Sequence, residues 1–305
     1  MKKTALLILA FAATVSLAFA GETALKKTYT TYTKNYDYTG FTALAVSNAF
    51  QVDLTFADTW SVDVTVPDFV KPYLKVTYIG NKVRIGLEKL PRDVQRKLED
   101  LSNPLQAKVT APKLLSLATS GAAKVTVSGQ QVLKDESFYV ELSGASGITS
   151  LQASGNGTLN IDVSGASKLE MTADFNLTNV DLSGASKLEL TGNSGKMNLD
   201  ISGASNARIN GDALVASVEL SGSSKLNWDG KTGSLKIDQS GATKFESTGE
   251  TANAEVELSG ASKCRISVTE TLYYELSGAS TLRVRSQGAK MSGEQSRGSK
   301  IDFER

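Results

Sequence analysis

From Phe41 onward, apolar and polar residues alternate with a period of two in short runs separated by turn residues, the pattern of half-buried β-strands. Val46–Leu54 (VSNAFQVDL), Trp60–Val66 (WSVDVTV) and Lys82–Leu87 (KVRIGL) are clear examples, with Pro67, Pro72 and Gly80-Asn81 marking turns. Between Pro91 and Pro104 the period changes. Leu90, Val94, Leu98 and Leu101 fall on one helical face and charged residues fall elsewhere, so a short proline-bounded helix is predicted as an insertion over 91–104. Before Phe41, Thr and Tyr alternate without aliphatic residues (KKTYTTYTKNYDY). That stretch suits either a polar linker over 21–39, the preferred reading, or a first edge strand.

The strands then become copies of one another. A Ser-Gly pair opens at Ser120, Ser143, Ser164, Ser183, Ser202, Ser221, Ser240, Ser259 and Ser277, and Ser296-Arg297 is a degraded tenth opening. From Ser164 the step is 19 residues, once 18. Ser47 opens a divergent earlier copy. With each opening Ser numbered zero, positions −3, −1, +5 and +7 are mostly apolar. Position −2 is acidic in nine copies, and position +4 is Lys in seven. Odd positions therefore face inward and even positions outward on both sides of a Ser-Gly-Ala-Ser corner.

One-sided alternation needs a core that an isolated hairpin lacks. A circuit of 19 residues holds three short strands and three corners. The predicted fold is thus all-β, a single-stranded parallel β-helix (solenoid) with divergent N-terminal coils over 40–118 and regular coils over 119–305. Coils stacked about 4.8 Å apart place each position above its counterpart. In that frame Gly at +1 takes the positive φ of the bend, and Ala at +2 is small enough to stack where the backbone turns inward. The hydroxyls at 0 and +3 bond the backbone or one another. The variable third side, around +9 to +13 (TGNSG, NGDAL, DGKTG), is expected to be exposed loop.

Composition narrows the function. Lys2 and Lys3, the apolar run Thr4–Leu17 and Ala18-Phe19-Ala20 read as a cleaved signal peptide over 1–20. That run is shorter than the roughly 20 apolar residues of a membrane span. No other segment could cross a bilayer as a helix, and no Cys follows the signal to carry a lipid anchor. With 33 Lys plus Arg against 32 Asp plus Glu, the balance argues against nucleic acid as a partner. The absence of His removes His-based catalytic triads and His-ligated metal sites. Cys264, the only cysteine, falls at +5 in a core column and is expected to be buried and inert.

No catalytic, cofactor-binding or metal-binding residue is predicted, and no cofactor. The acidic column could in principle hold calcium or supply paired acids for glycoside hydrolysis. A catalytic site breaks symmetry, however, and here nearly every coil carries the same acid. Solubilising outward faces fit better, with the Lys column around the corner relieving the repulsion. Trp228 falls at an inward position and reads as core. The candidate contact residues are the outward Tyr139 and Tyr273 at −4, with Asp162, Asp181 and Asp200 from the acidic column.

The repeated SGAS-K-L-E-L corner after an export signal resembles the putative auto-transporter adhesin, head GIN domain family (DUF2807) common in Bacteroidetes. The resemblance covers about Phe41 to Glu304, including Phe41–Leu54 and the stretch AKVTAPKLLSLATSGAAKVTV at Ala107–Val127. It implies a right-handed β-helix and supplies no family active site. The expected function is an exported, non-enzymatic scaffold binding a glycan or an envelope or host protein, in the periplasm, at the cell surface or secreted by a Gram-negative bacterium. The alternatives are a polysaccharide-active β-helix enzyme, or a periplasmic structural or sensing protein. A specific site is expected where the copies disagree.

Overall fold

The computed structural model describes residues 29–286 and 288–304, so the predicted signal peptide lies outside the described residues. The chain is a parallel β-solenoid closed at its N-terminal end by antiparallel strands. Its first strands are β1 (Thr31–Tyr36), β2 (Ala43–Val46), β3 (Gln51–Phe56), β4 (Ser61–Pro67), β5 (Leu74–Ile79), β6 (Lys82–Leu87), β7 (Gln106–Ala111), β8 (Ser116–Thr119) and β9 (Lys124–Ser128). Helix α1 (Arg92–Glu99) interrupts them where predicted. It buries Val94 against the core, with Leu90 and Leu98 packed alongside.

Chain order and spatial order differ at this end. Strands β2 and β3 stack in parallel on β8 and β9, so the corner at Ser47-Asn48 lies under the corner at Ser120-Gly121. Ala122 N–H donates to Asn48 O at 2.7 Å. Asn48 takes a φ of 63°, the left-handed conformation that Gly supplies in later copies. On the other side of this coil lie β6, beside β2, and β7, beside β3. These two form the terminal coil, and α1 is inserted at its corner.

The span 40–118 is therefore coil-like only in part. Strand β5 pairs antiparallel with β6, and β4 pairs antiparallel with β7 and with β1. The linker expected at 21–39 also needs correction, because residues 31–36 form the edge strand β1. Tyr32 and Tyr36 pack on the core from alternate positions, while Thr33 and Asn35 bond Thr65 and Asp63 on β4. The tyrosine rings supply the apolar face that the missing aliphatic residues would have provided.

Beyond β9 the coils stack in register. Lys168–Leu182 pairs with Lys187–Thr191 and Ser194–Ile201, and the pattern continues with the 19-residue offset. The inward columns at −3, −1, +5 and +7 form the core, including Leu182, Leu188 and Leu190. Trp228 is buried and donates its indole N–H to Gly211 O at 2.8 Å, which satisfies its one polar atom. Cys264 is a buried free thiol whose pKa burial pushes up.

The corner differs from expectation at one position. Ala185 at +2 is exposed, while Ser186 at +3 points into the core. Gly184 and Ala185 both lie on the outside of the bend, and inward alternation resumes at the serine. Some +3 hydroxyls bond along the column, as in Ser186 Oγ with Ser205 Oγ at 3.1 Å and Ser146 Oγ with Ser167 Oγ at 3.4 Å, and Thr119 at −1 donates to Ser146 Oγ at 2.9 Å. The third side is loop only at +9 and +10, where Gly192-Asn193, Gly211-Asp212 and Gly230-Lys231 make a short turn. Ser194–Ile201, Ala213–Leu220 and Thr232–Gln239 are continuous strands in which two successive outward residues mark a bend, as at Gly195-Lys196 and Leu214-Val215. The turn itself is held by particular residues: Asp174, Asn193 and Asp212 each accept from a backbone N–H of the following coil, and Gly192, Gly211 and Gly230 stack where a Cβ would strike the carbonyl of the coil before.

Candidate binding face

The strand that ends at each Ser-Gly corner presents two outward columns. Parallel register stacks the −2 acids in one line: Glu141, Asp162, Asp181, Asp200, Glu219, Asp238, Glu257, Glu275 and Glu294. Beside it runs the −4 line: Tyr139, Asn160, Asn179, Asn198, Ser217, Lys236, Glu255, Tyr273 and Ser292. Alternation places both lines on the same outer face of the sheet.

Around the Asn rungs the two lines enclose a shallow depression of about 430 Å³, lined by Tyr139, Asn160, Asn179 and Asn198 on one side and by Glu141, Asp162, Asp181 and Asp200 on the other. Asn179 Nδ2 donates to Asn160 Oδ1 at 3.0 Å, and Asn198 Nδ2 donates to Asn179 Oδ1 at 2.8 Å. This amide ladder fixes the three side chains and leaves donors and acceptors directed outward. Tyr139 is 47% exposed at the end of the ladder. Four of the five predicted contact residues thus meet in one place. Tyr273 does not join them. It sits seven rungs along the same line, about 34 Å away at the interstrand spacing, and its hydroxyl donates to Glu275.

The electrostatics of this face are one-sided. Two carboxylates one rung apart repel by about 0.9 kcal/mol in water, and the repulsion accumulates along the line. Burial, and then the carboxylates of Asp200 and Asp162, hold Asp181 above the usual carboxylate range. The Lys column does not relieve this repulsion. Lys187 pairs with Glu189 at 2.6 Å, Lys244 with Glu246 at 2.7 Å and Lys300 with Asp302 at 2.7 Å, all within their own strands. Positions +4 and +6 share one face of one strand, whereas the −2 acids lie beyond the corner. Among the described residues, Lys236 is the exception, pairing with Glu255 and reaching Glu257 at 3.6 Å. No group of three or more metal-ligating side chains is close enough to hold an ion among the described residues.

The family model described as "Putative auto-transporter adhesin, head GIN domain" matches residues 40–217 and 174–288. The chain belongs to that family. Among solved structures, similar folds include a putative adhesin from Parabacteroides distasonis, 13% identical, covering 90% of this chain and 97% of its own, with a TM-score of 0.49. A putative adhesin from Parabacteroides merdae is 13% identical over 90% of this chain and 96% of its own, with a TM-score of 0.43. A putative lipid binding protein from Parabacteroides distasonis is 12% identical over 90% and 97%, with a TM-score of 0.42. No curated protein matches.

In this head GIN domain protein the Asn ladder is the part of the face that sequence reasoning missed. Its signal was available. Asn recurs at −4 in three successive copies, at Asn160, Asn179 and Asn198, and nowhere else in that column. No helix among the described residues is long and apolar enough to cross a membrane.

Proposed function

We infer that this chain is an exported, adhesin-like binding protein without enzymatic activity, and that the depression between Tyr139 and Asp200 is where it holds a glycan. The observation that carries this reading is the Asn ladder set beside the Asp column. Fixed amides and carboxylates offer sugar hydroxyls both donors and acceptors, and Tyr139 offers a ring on which a pyranose can stack. The acids favour neutral or amine-bearing sugars and oppose uronic or sialic acids. The envelope is the expected setting, with a glycan of the cell's own surface or of a host as the partner.

The polysaccharide-cleaving alternative is less well supported. Hydrolysis of a glycosidic bond uses two carboxyl groups flanking the bond on the sugar. Here the acids stand in one row on one side of the depression, and each rung repeats the last.

The test is a glycan array probed with the purified mature chain, followed by affinity measurement on the best ligand. Asn179→Ala and Tyr139→Ala are each expected to weaken binding about tenfold, or about 1.4 kcal/mol. Binding confined to acidic glycans, or binding indifferent to both substitutions, would overturn the assignment. Cleavage of any glycan on the array would reinstate the enzyme reading.

A further inference from the structure

The column that carries the acids continues past Glu141. Register extends it through Ala118 and Ala45 to Arg84 on β6, the strand of the terminal coil. The sequence hides this continuation, because β6 follows β2 in the chain but lies on its far side from β8. Two rungs of methyl side chains therefore separate a cation from the run of acids. A depression of about 480 Å³ occupies this gap. Ala45 and Ala118 form its floor. Arg84, with Lys75 and Thr77 of the neighbouring strand β5, bounds one end, and Glu141 and Asp162 bound the other. Ser47, Ser120 and Ser143 line it with one hydroxyl at each successive rung.

The charges at the two ends are available. Lys75 is held by Glu88 at 3.2 Å, but among the described residues Arg84, Glu141 and Asp162 make no ion pair. Arg84 and Glu141 stand three rungs apart, about 14 Å at the backbone. An extended peptide rises about 3.4 Å per residue, so about four residues span that distance. A single amino acid or a zwitterionic lipid headgroup keeps its two charges within about one residue length, well short of that backbone separation.

We propose that this depression is a second binding site, and that it takes a short zwitterionic peptide. The peptide carboxylate pairs with Arg84, its ammonium group pairs with Glu141 and Asp162, and its backbone lies across Ala45 and Ala118 within reach of the serine hydroxyls. Small side chains are favoured, because the floor provides depth only where the column shrinks to methyl groups. The site shares Glu141 and Asp162 with the proposed glycan depression, but Arg84, Ala45 and Ala118 belong to it alone, and the proposal does not rest on glycan binding.

The test is calorimetric titration of the mature chain with alanine peptides of one to six residues, with free, N-acetylated or C-amidated ends. Binding is expected to be best at three to five residues and to fall tenfold or more when either end is blocked. Arg84→Gln should abolish the preference for a free carboxylate, Glu141→Gln should reduce the preference for a free amine, and Ala118→Leu should remove binding of every peptide. All three side chains face outward, and thermal melts of the variants confirm their folding. Absence of saturable binding at millimolar peptide, a flat length dependence, or tetrapeptide binding that survives Ala118→Leu would each overturn the proposal. Glycan binding, weakened about tenfold in Asn179→Ala and retained in Ala118→Leu, keeps the two sites distinguishable.

Discussion

Gln239 occupies the −1 core column between Leu220 and Leu258, where most copies carry an aliphatic side chain. It is 0% exposed. Its amide donates to Thr243 Oγ1 at 3.0 Å and is 3.5 Å from Lys263 O, but Oε1 has no partner among the described residues. Gln239→Leu should therefore stabilise the protein. Removing the unpaired oxygen recovers about 1–3 kcal/mol of desolvation, and the lost hydrogen bond costs about 1 kcal/mol. Leaving the Thr243 hydroxyl without its donor costs about 1 kcal/mol more, whereas the added apolar burial returns about 1 kcal/mol. Side-chain volume hardly changes, so no cavity opens. The net expectation is a gain of about 1 kcal/mol, rising to about 2 kcal/mol when Thr243→Val removes the second orphan. Urea unfolding followed by circular dichroism measures both. If Gln239→Leu lowers stability by about 1 kcal/mol and Thr243→Val lowers it further, Oε1 is satisfied in solution and the reasoning fails.

The corner gives a sharper contrast. Gly203 has a φ of 69°, and a Cβ there would lie 2.4 Å from Gly184 O. Gly203→Ala should therefore cost at least about 2 kcal/mol by urea unfolding. Ala204→Ser should be neutral, since the following copy carries Ser223 at that exposed position. Acid titration should separate the two outer faces. Asp181, raised by burial and by Asp200 and Asp162, loses stability as its charged form appears, so Asp181→Asn should be more stable than the parent at pH 7 and equal to it below about pH 3.9. Glu189 is lowered chiefly by its hydrogen bond from Lys187. Glu189→Gln should be less stable than the parent at pH 7, and that gap should close as pH falls through the lowered pKa. Cys264, buried and with its thiol pKa pushed up, should resist iodoacetamide in the native protein and react only on unfolding.

Much of the architecture was legible from local pattern. Leu182, Leu188 and Leu190 are inward in the sequence period and inward in the core. Cys264 and Trp228 followed from their register, and α1 from the shift in period between two prolines. Side-chain alternation and corner chemistry are properties of adjacent residues, and any frame that stacks the coils must respect them. Tyr32 and Tyr36 escaped this logic because a tyrosine on an edge strand covers core with its ring while keeping its hydroxyl wet. The turn of the third side escaped it because its signal, a Gly at Gly192, Gly211 and Gly230 with Asp or Asn beside it at Asn193 and Asp212, shows only when the coils are aligned.

The sequence by itself determined the period, the inward and outward columns and the corner, since these arise from a two-residue strand repeat and a glycine bend. Tertiary structure decided what stands next to what. It placed β6 beyond β2, so that Arg84 joined the acidic column across two alanines. It turned β4 and β5 antiparallel to close the end, and stacked Asn160, Asn179 and Asn198 into one ladder alongside the stacked Asp162, Asp181 and Asp200. Successive rungs of each line are a whole coil apart or out of order in the chain, and only the stacking of coils, with its regular interstrand spacing, brings their charges and amides into one field.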